Sequence, residues 1–225
     1  MTVIENLAKI EKGITAACQR VGRDRDSVQI IAVTKYVSDE RAKEALEAGL
    51  TNIGENRVEE GVRKRKVLEG EGTWHFIGTL QTRKVKEMVD QFEYIHSLDR
   101  LSLAKEIQKR TNKKIKCFVQ VNVSKEESKH GIDPSQLIGF INDLKSYPFI
   151  EIVGLMTMAP HVEDPLETRQ YFRSLKELQQ RVQALQVPYA PCQELSMGMS
   201  NDFQIAIEEG ATFIRIGSSL VGSET

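Results

Sequence analysis

The sequence predicts an α/β fold, a (β/α)8 TIM barrel with an extra N-terminal helix. Short apolar segments with the pattern of strands alternate with helical patterns eight times along the chain. The length of 225 residues is within the usual range for one such barrel. No Pro/Gly-rich linker, low-complexity tract or change in charge interrupts the alternation, which favours a closed barrel over an open doubly wound sheet. We therefore expect residues 1–225 to form a single domain.

An amphipathic helix is expected to open the chain, because apolar residues recur at helical spacing from Ile4 to Val21 and Gly22 follows as a stop signal. The first four strands are predicted at 28–33, 52–54, 74–77 and 94–97. Their helices are predicted at 38–48, 58–67, 84–89 and 101–110. Trp74, in the third strand, is expected in the core.

The same alternation continues to the end of the chain. Strands are predicted at 116–123, at 150–156, in a segment ending at 195, and at 212–216. The helices between them are predicted at 134–144, 168–185 and 201–209, and the eighth unit is truncated after its strand.

The charge balance excludes some classes of partner. Lys and Arg number 31 against 32 Asp and Glu, a net charge of -1, so no global attraction to nucleic acid or to an anionic membrane is expected. The one basic cluster, residues 63–66, lies in a predicted helix between acidic residues and is interpreted as a solvated face. No apolar run is long enough to span a bilayer, and residues 1–6 carry an early acid and no apolar core of signal-peptide length.

The cysteines indicate the redox environment. Cys18, Cys117 and Cys192 contain no CxxC pair and leave an odd thiol, which disfavours both a disulfide framework and a zinc site. We therefore predict no metal site and a reducing compartment, with the protein cytoplasmic.

Lys35 is the first candidate functional residue. It follows the apolar segment 28–33 and Thr34, so it lies at the carboxyl end of an interior strand, where barrel proteins place their chemistry. A primary amine there is a candidate for imine formation with an aldehyde. The alternative is a lysine that extends from the strand end into water.

Two stretches near the end of the chain predict an anion-binding cup. Residues 195–202 and 213–219 each combine a short apolar strand with glycine and hydroxyl residues in the turn that follows, so that backbone N–H groups and Oγ atoms can converge on one anion. Phosphate sites of barrels are found in the loops after strands seven and eight. One lysine for an aldehyde and one cup for a phosphate ester describe pyridoxal 5′-phosphate (PLP).

Polar and glycine residues lie at or just beyond the carboxyl ends of all eight predicted strands, which agrees with a site at the carboxyl-terminal face of a barrel. They are Lys35, Glu55, Asn56, Gly78, Ser97, Asn122, Thr157, Ser196, Gly217 and Ser218.

Five motifs in this order strongly resemble the pyridoxal phosphate homeostasis protein family, over nearly the whole chain. They are the segments 32–35 (AVTK), 54–56 (GEN), 74–78 (WHFIG), 195–202 (LSMGMSND) and 215–217 (RIG). The resemblance implies an alanine-racemase-like barrel of fold type III. It further implies that Lys35 holds PLP as an internal aldimine, that Ser200, Gly217 and Ser218 bind its phosphate, that Arg215 faces the pyridine nitrogen and that Asn56 lies beside the ring.

Arg215 bears on the chemistry that such a cofactor could support. A guanidinium only donates hydrogen bonds, so a pyridine nitrogen facing it stays unprotonated and the ring is a weak electron sink. The alternative role of Arg215 is a salt bridge inside the barrel to Glu55 or Glu194.

Two functions remain open. The resemblance implies a carrier that holds PLP and acts in PLP (vitamin B6) and amino-acid homeostasis, without catalytic turnover. The alternative is a PLP-dependent amino-acid racemase or related enzyme, which needs a second base on the opposite face of the substrate. The candidates for that base are Tyr36, His75, His96, His130 and His161. Tyr36 is expected to turn away from the pocket, and a core or surface role is favoured for each histidine.

Further expectations concern partners, oligomeric state and one polar loop. PLP-dependent apoenzymes are the candidate recipients of the cofactor, and we expect a monomer. The polar loop 124–131 could gate the site or pass the aldehyde to Lys129, or it could be a solvated loop. A scaffold that binds another protein through its outer helices is a more distant alternative, for which the sequence shows no stripe of anchors.

Overall fold

The computed structural model describes residues 1–126 and 130–222. Eight parallel strands form a closed barrel in chain order, with β8 returning to β1. This confirms the predicted fold class. The strands are β1 Gln29–Val33, β2 Asn52–Glu55, β3 Thr73–Phe76, β4 Tyr94–Leu98, β5 Ile115–Gln120, β6 Ile150–Met156, β7 Glu194–Ser196 and β8 Phe213–Ile216.

Helices follow the strands and cover the outside of the barrel. They are α1 Val3–Arg20, α2 Asp39–Glu47, α3 Val58–Val67, α4 Val85–Met88, α5 Leu101–Arg110, α6 Leu137–Asp143, α7 Arg169–Gln183, α8 Phe203–Glu208 and α9 Ser218–Val221. Within the described residues, none of them is both long and apolar enough to cross a membrane.

The predicted extra helix, α1, begins with a capping box formed by Thr2 and Glu5. Its apolar face packs against α8 and α9. The buried Asn6 in this helix donates a hydrogen bond from Nδ2 to the carbonyl oxygen of Leu220 at 2.8 Å. The first helix is therefore attached to the last one, which follows β8.

Apolar side chains fill two separate spaces. The larger cluster lies between the strands and the helices and includes Trp74, which is fully buried as predicted. The smaller cluster lies inside the barrel, because Phe213 on β8 contacts the rings of His75 on β3 and Phe118 on β5 although these strands are not neighbours. The barrel interior is therefore packed with rings and is not a channel.

Most element boundaries differ from the prediction by one or two residues, and the larger differences are at two places. The fifth strand was expected to reach residue 123 but ends at Gln120. The Val121 amide still donates to Met156 on β6, but Val121 then pairs with Ile132 in an isolated bridge and Asn122 donates to the Ile132 carbonyl oxygen. The helix expected at 134–144 is divided into a 3-10 turn, the short α6 and a second 3-10 turn. Asp133 caps the first of these turns and Pro134 occupies its first position.

Candidate functional site

A cavity of about 570 Å³ opens at the carboxyl-terminal face of the barrel. Its lining contains all six residues that the sequence predicted for the site, namely Lys35, Asn56, Ser200, Arg215, Gly217 and Ser218. Gly78, Thr79, Gln120 and the segment 158–162 complete much of the wall. Side chains from both ends of the sequence therefore meet at one opening.

Lys35 lies at the mouth of this cavity, directly after β1. Its side chain is exposed, and Nζ lies 5.6 Å from the centroid of the Tyr36 ring. Tyr36 has φ of 63°, a left-handed conformation that is uncommon for a bulky residue. The turn therefore places the Tyr36 ring outside the cavity, in a smaller cleft beside Arg57.

A buried ion pair supports this turn from below. Lys64 on α3 donates hydrogen bonds to the Thr34 carbonyl oxygen and to Glu55 Oε1, the latter at 2.9 Å. Thr34 Oγ1 donates to the same carboxylate oxygen at 2.7 Å. The side chains of Lys64 and Glu55 are 3% and 1% exposed. We call Thr34, Glu55 and Lys64 the Glu55 cluster. It joins the carboxyl ends of β1 and β2, next to Lys35 and Asn56.

The expectation that residues 63–66 form a solvated face is therefore wrong for Lys64. Arg63 does reach the surface, where it pairs with Asp39, and Lys66 is exposed. Lys64 points inward because the buried residues of α3 are spaced three apart, at Val58, Gly61 and Lys64. That spacing was the signal in the sequence that could have identified it.

The end of the cavity where the sequence predicted an anion-binding cup, here called the anion end, combines hydroxyl groups with backbone amides. Ser219 Oγ and Ser200 Oγ are 3.0 Å apart, so the two predicted turns adjoin. Gly217 precedes α9, and the first amide groups of a helix have no acceptor within the helix. Gly198 has φ of 91° and its Cβ position would lie 2.5 Å from the Ala206 side chain, so the turn after β7 requires glycine.

Asp202 is the acidic neighbour of this end. Its Oδ1 accepts a hydrogen bond from the Met199 amide at 2.6 Å. Burial raises the pKa of its carboxyl group, against the opposing effects of that amide and of Arg215. The carboxylate thus braces the turn that carries Ser200.

Arg215 extends from β8 to the floor of the cavity. Its two terminal nitrogens donate to Ser196 Oγ at 2.7 Å and to the Thr157 carbonyl oxygen at 2.9 Å. Burial lowers the pKa of the guanidinium to about 10, with Asp202 acting in the opposite direction, so the side chain is still cationic at neutral pH. Within residues 1–126 and 130–222 it makes no ion pair with Glu55 or Glu194.

The candidate second bases are dispersed. His75 and His96 are fully buried inside the barrel, and burial lowers the pKa of both imidazoles. His161 lies in the cavity wall and is exposed, and His130 is exposed. Lys129, the other lysine considered above, lies outside the described residues. Of the five candidates, His161 is the one that lines the cavity.

Sequence reasoning missed two parts of the site. One is the wall formed by 158–162 with Pro165 and Thr168, of which His161 alone was named as a candidate base. This wall belongs to a long connection after β6 that has no periodic pattern. A row of hydrogen-bonded polar side chains beneath Arg215, including His75 and His96, was not expected either. Histidines at the third positions of two successive strands, β3 and β4, were the available signal.

Gly78 packs closely against the backbone of Asn56. A Cβ atom at Gly78 would lie 2.3 Å from the Asn56 carbonyl oxygen and 2.8 Å from its Cα. Only glycine permits this approach between the ends of β2 and β3, and both residues line the cavity.

Comparisons with known proteins agree with this geometry. The chain matches the model of the family described as alanine racemase, N-terminal domain, over residues 6–225. A pyridoxal phosphate homeostasis protein of Aquifex aeolicus is 42% identical over 226 residues, which cover 99% of this chain and 98% of that protein. The structure of PipY from Synechococcus elongatus PCC7942 with PLP bound has a TM-score of 0.85 and 33% identity, over 98% of this chain and 100% of that one.

A more distant likeness extends to the alanine racemase of Clostridium difficile 630. Its TM-score is 0.73 at 15% identity, and the match covers 97% of this chain but 56% of the racemase chain. At that identity the likeness shows the fold alone. The family model and the full-length relatives together show that the chain belongs to the alanine racemase N-terminal domain family and to the pyridoxal phosphate homeostasis proteins.

Proposed function

We propose that this protein binds PLP in the cavity at the barrel mouth and acts in intracellular PLP and amino-acid homeostasis as a carrier without catalytic turnover. The observation that carries the proposal is the meeting of a primary amine, a buried guanidinium and an anion end in one cavity. Each of these groups suits a different part of PLP: the aldehyde, the pyridine nitrogen and the phosphate. The relatives named above support the same ligand.

Lys35 is proposed to attach the ligand. When bound, PLP supplies an aldehyde carbon to which an unprotonated primary amine adds, with formation of a C=N bond and loss of water. The exposed position of Lys35 lets its amine meet both the cavity and an incoming amine from solvent. The Glu55 cluster keeps the peptide before Lys35 in place.

The other predicted residues are proposed to orient the ligand. Ser200, Ser218 and the backbone at Gly217 would hold the phosphate through hydroxyl and amide donors. Arg215 would donate to the pyridine nitrogen and leave it unprotonated. Asn56 would lie beside the ring.

The positions of the candidate second bases favour a carrier over a racemase. His75 and His96 are buried beneath Arg215, and Tyr36 lines a different cleft. His161 remains as an exposed group in the wall, so a racemase would depend on it. A protein that holds the aldehyde reversibly could deliver it to PLP-dependent apoenzymes, and we include them in the proposal as recipients.

The proposal is tested by trapping the ligand on Lys35. Purified protein incubated with PLP should absorb in the visible and, after borohydride reduction, should carry the added mass on the peptide containing Lys35. Lys35→Ala should lose both signals, whereas Lys43→Ala, which alters an exposed lysine on α2, should retain them. Wild-type protein without the added mass would contradict the proposal.

The same protein discriminates between the two functions. Carrier function predicts no exchange of the α-hydrogen of alanine or serine at enzyme-like rates, and transfer of the bound PLP to an aminotransferase stripped of its cofactor. Rapid α-hydrogen exchange that His161→Gln abolishes would support the racemase instead.

Gly78→Ala is expected to weaken PLP retention, because the added methyl group must displace the Asn56 backbone. We expect a loss of about 1–3 kcal/mol in stability, typical of overpacking, measured by urea unfolding, together with weaker PLP binding measured by fluorescence titration. Gly139→Ala is the matched control, since nothing lies within 4 Å of its Cβ position on α6. Equal behaviour of the two variants would contradict the role given to Gly78.

A further inference from the structure

Five polar side chains form a continuous row inside the barrel beneath the cavity. Arg215 donates to Ser196 Oγ at 2.7 Å, and Ser196 Oγ lies 2.9 Å from His96 Nδ1. His96 Nε2 lies 2.9 Å from His75 Nδ1, and His75 Nε2 lies 3.0 Å from Asn52 Oδ1. We call this row the Arg215 chain. It joins β8, β7, β4, β3 and β2.

The donor at one end and the acceptor at the other fix the direction of every proton in the chain. Arg215 has no acceptor, so Ser196 Oγ accepts from it. Asn52 Oδ1 only accepts, so neutral His75 and His96 both donate from Nε2 and accept at Nδ1, and the Ser196 hydroxyl donates to His96 Nδ1. His96 then carries its proton on Nε2 and donates it to His75 Nδ1. His75 likewise carries its proton on Nε2 and donates it to the side-chain oxygen Oδ1 of Asn52. Each link holds one proton, and both imidazoles are neutral.

The surroundings of the two imidazoles support this arrangement. Both are fully buried. His96 stacks on Phe118 with centroids 4.2 Å apart, and His75 stacks on Tyr94 at 4.3 Å with an interplanar angle of 6°. These stacks fix the ring planes, and therefore the directions of the nitrogen atoms. A protonated His96 would present an N–H group to Ser196 and place a second cation near Arg215.

We infer that Ser196 and His96 are positioning residues that hold the Arg215 guanidinium in one orientation, with its remaining N–H donors available to the cavity. The Ser196 hydroxyl group does not rotate, because it donates its proton to His96 Nδ1. A lone pair of Ser196 Oγ therefore stays directed at Arg215. The Thr157 carbonyl oxygen is the second fixed point of the guanidinium. The ligand that benefits is PLP, and for that ligand the inference rests on the proposed function.

The first experiment needs no ligand. In 15N NMR spectra of the protein alone, His75 and His96 should both show the tautomer protonated on Nε2. The Nη groups of Arg215 should show slow rotation about their Cζ–Nη bonds. Ser196→Ala and His96→Phe should both accelerate that rotation, the second while keeping a ring to stack on Phe118. Ser97→Ala is the matched control, because Ser97 Oγ is buried on β4 without a hydrogen-bond partner among the described residues.

The second experiment uses PLP. Ser196→Ala should weaken PLP binding about tenfold, the worth of one hydrogen bond to a charged group, and should shift the absorption band of the bound ligand. His96→Phe should weaken PLP binding about threefold, because Ser196 still accepts from Arg215 but its hydroxyl is no longer fixed. Ser97→Ala should change neither binding nor band.

The outcomes separate the two claims. A histidine protonated on Nδ1, or Arg215 signals that Ser196→Ala leaves unchanged, would overturn the inference whatever the ligand. Wild-type protein that binds PLP but loses no affinity in Ser196→Ala would overturn the inference alone. If wild-type protein bound no PLP while the NMR results held, the proposed function would fail and the positioning of Arg215 would stand.

Discussion

Lys64→Met is expected to destabilise the protein by about 3–5 kcal/mol, the usual cost of leaving one member of a buried ion pair without its partner. The Glu55 carboxylate is 1% exposed and would retain only the Thr34 hydroxyl among the partners in the Glu55 cluster. Methionine fills a similar volume, so the loss reports the missing charge and hydrogen bonds more than a cavity. Urea unfolding at pH 7, followed by the fluorescence of Trp74, measures it.

Two further variants make this measurement decisive. Lys66→Met alters an exposed lysine on the same helix and should change stability by no more than about 0.5 kcal/mol. Glu55→Gln combined with Lys64→Met removes the unpaired buried charge and should recover much of the lost stability.

Lys64→Met should also weaken PLP binding, because the Thr34 carbonyl oxygen before Lys35 loses its hydrogen bond to Lys64. If Lys64→Met and Lys66→Met were equally stable, the Glu55 cluster would not hold the turn.

Acidification is expected to destabilise the fold well before most carboxylates are protonated. Burial lowers the pKa of His75 from 6.5 to about 3, assisted by Lys116, and lowers that of His96 through burial, His75 and Arg215. Below pH 6.5 these two histidines therefore bind protons in the unfolded chain but stay unprotonated in the folded barrel. The stability that these histidines confer is present above pH 6.5 and is lost as the pH falls toward 3. Each contributes a slope of up to about 1.4 kcal/mol per pH unit.

The slope is measured by urea unfolding between pH 7.5 and 5. His75→Gln should reduce it by up to about 1.4 kcal/mol per pH unit, even if the variant is less stable at every pH. His130→Gln combined with His161→Gln is the control, since both imidazoles are exposed and the slope should not change. A wild-type stability that is flat from pH 7 to 5 would contradict the neutral, buried state of His75 and His96.

The fold followed from the sequence because its signals are local. The limits of α3 and α5 and of β6 were predicted to the residue, since helical periodicity and continuous apolar runs are properties of neighbouring residues. The end of β5 was not, because Val121, whose amide still donates to Met156 on β6, pairs next with Ile132, eleven positions further along the chain. Such pairing depends on the packed structure and leaves no mark on the segment 116–123.

The site followed less completely, for a related reason. Five of the six predicted residues follow strand ends and Arg215 lies near the end of β8, so the topology alone brings them to one opening. Lys64 reaches the same region from helix α3. Its burial depends on the ion pair with Glu55, and the sequence does not show which residue pairs with that carboxylate. The Arg215 chain joins five strands, and its hydrogen bonds become visible only when the barrel closes.

The attachment of α1 to α9 has a consequence for inherited variation. Asn6 and Leu220 are joined by one buried hydrogen bond across 214 positions of sequence, and Leu220 lies in the helix that starts at the anion end of the cavity. In the proposed function this helix borders the phosphate, so a natural substitution at Asn6 is expected to weaken PLP binding while the barrel itself stays intact.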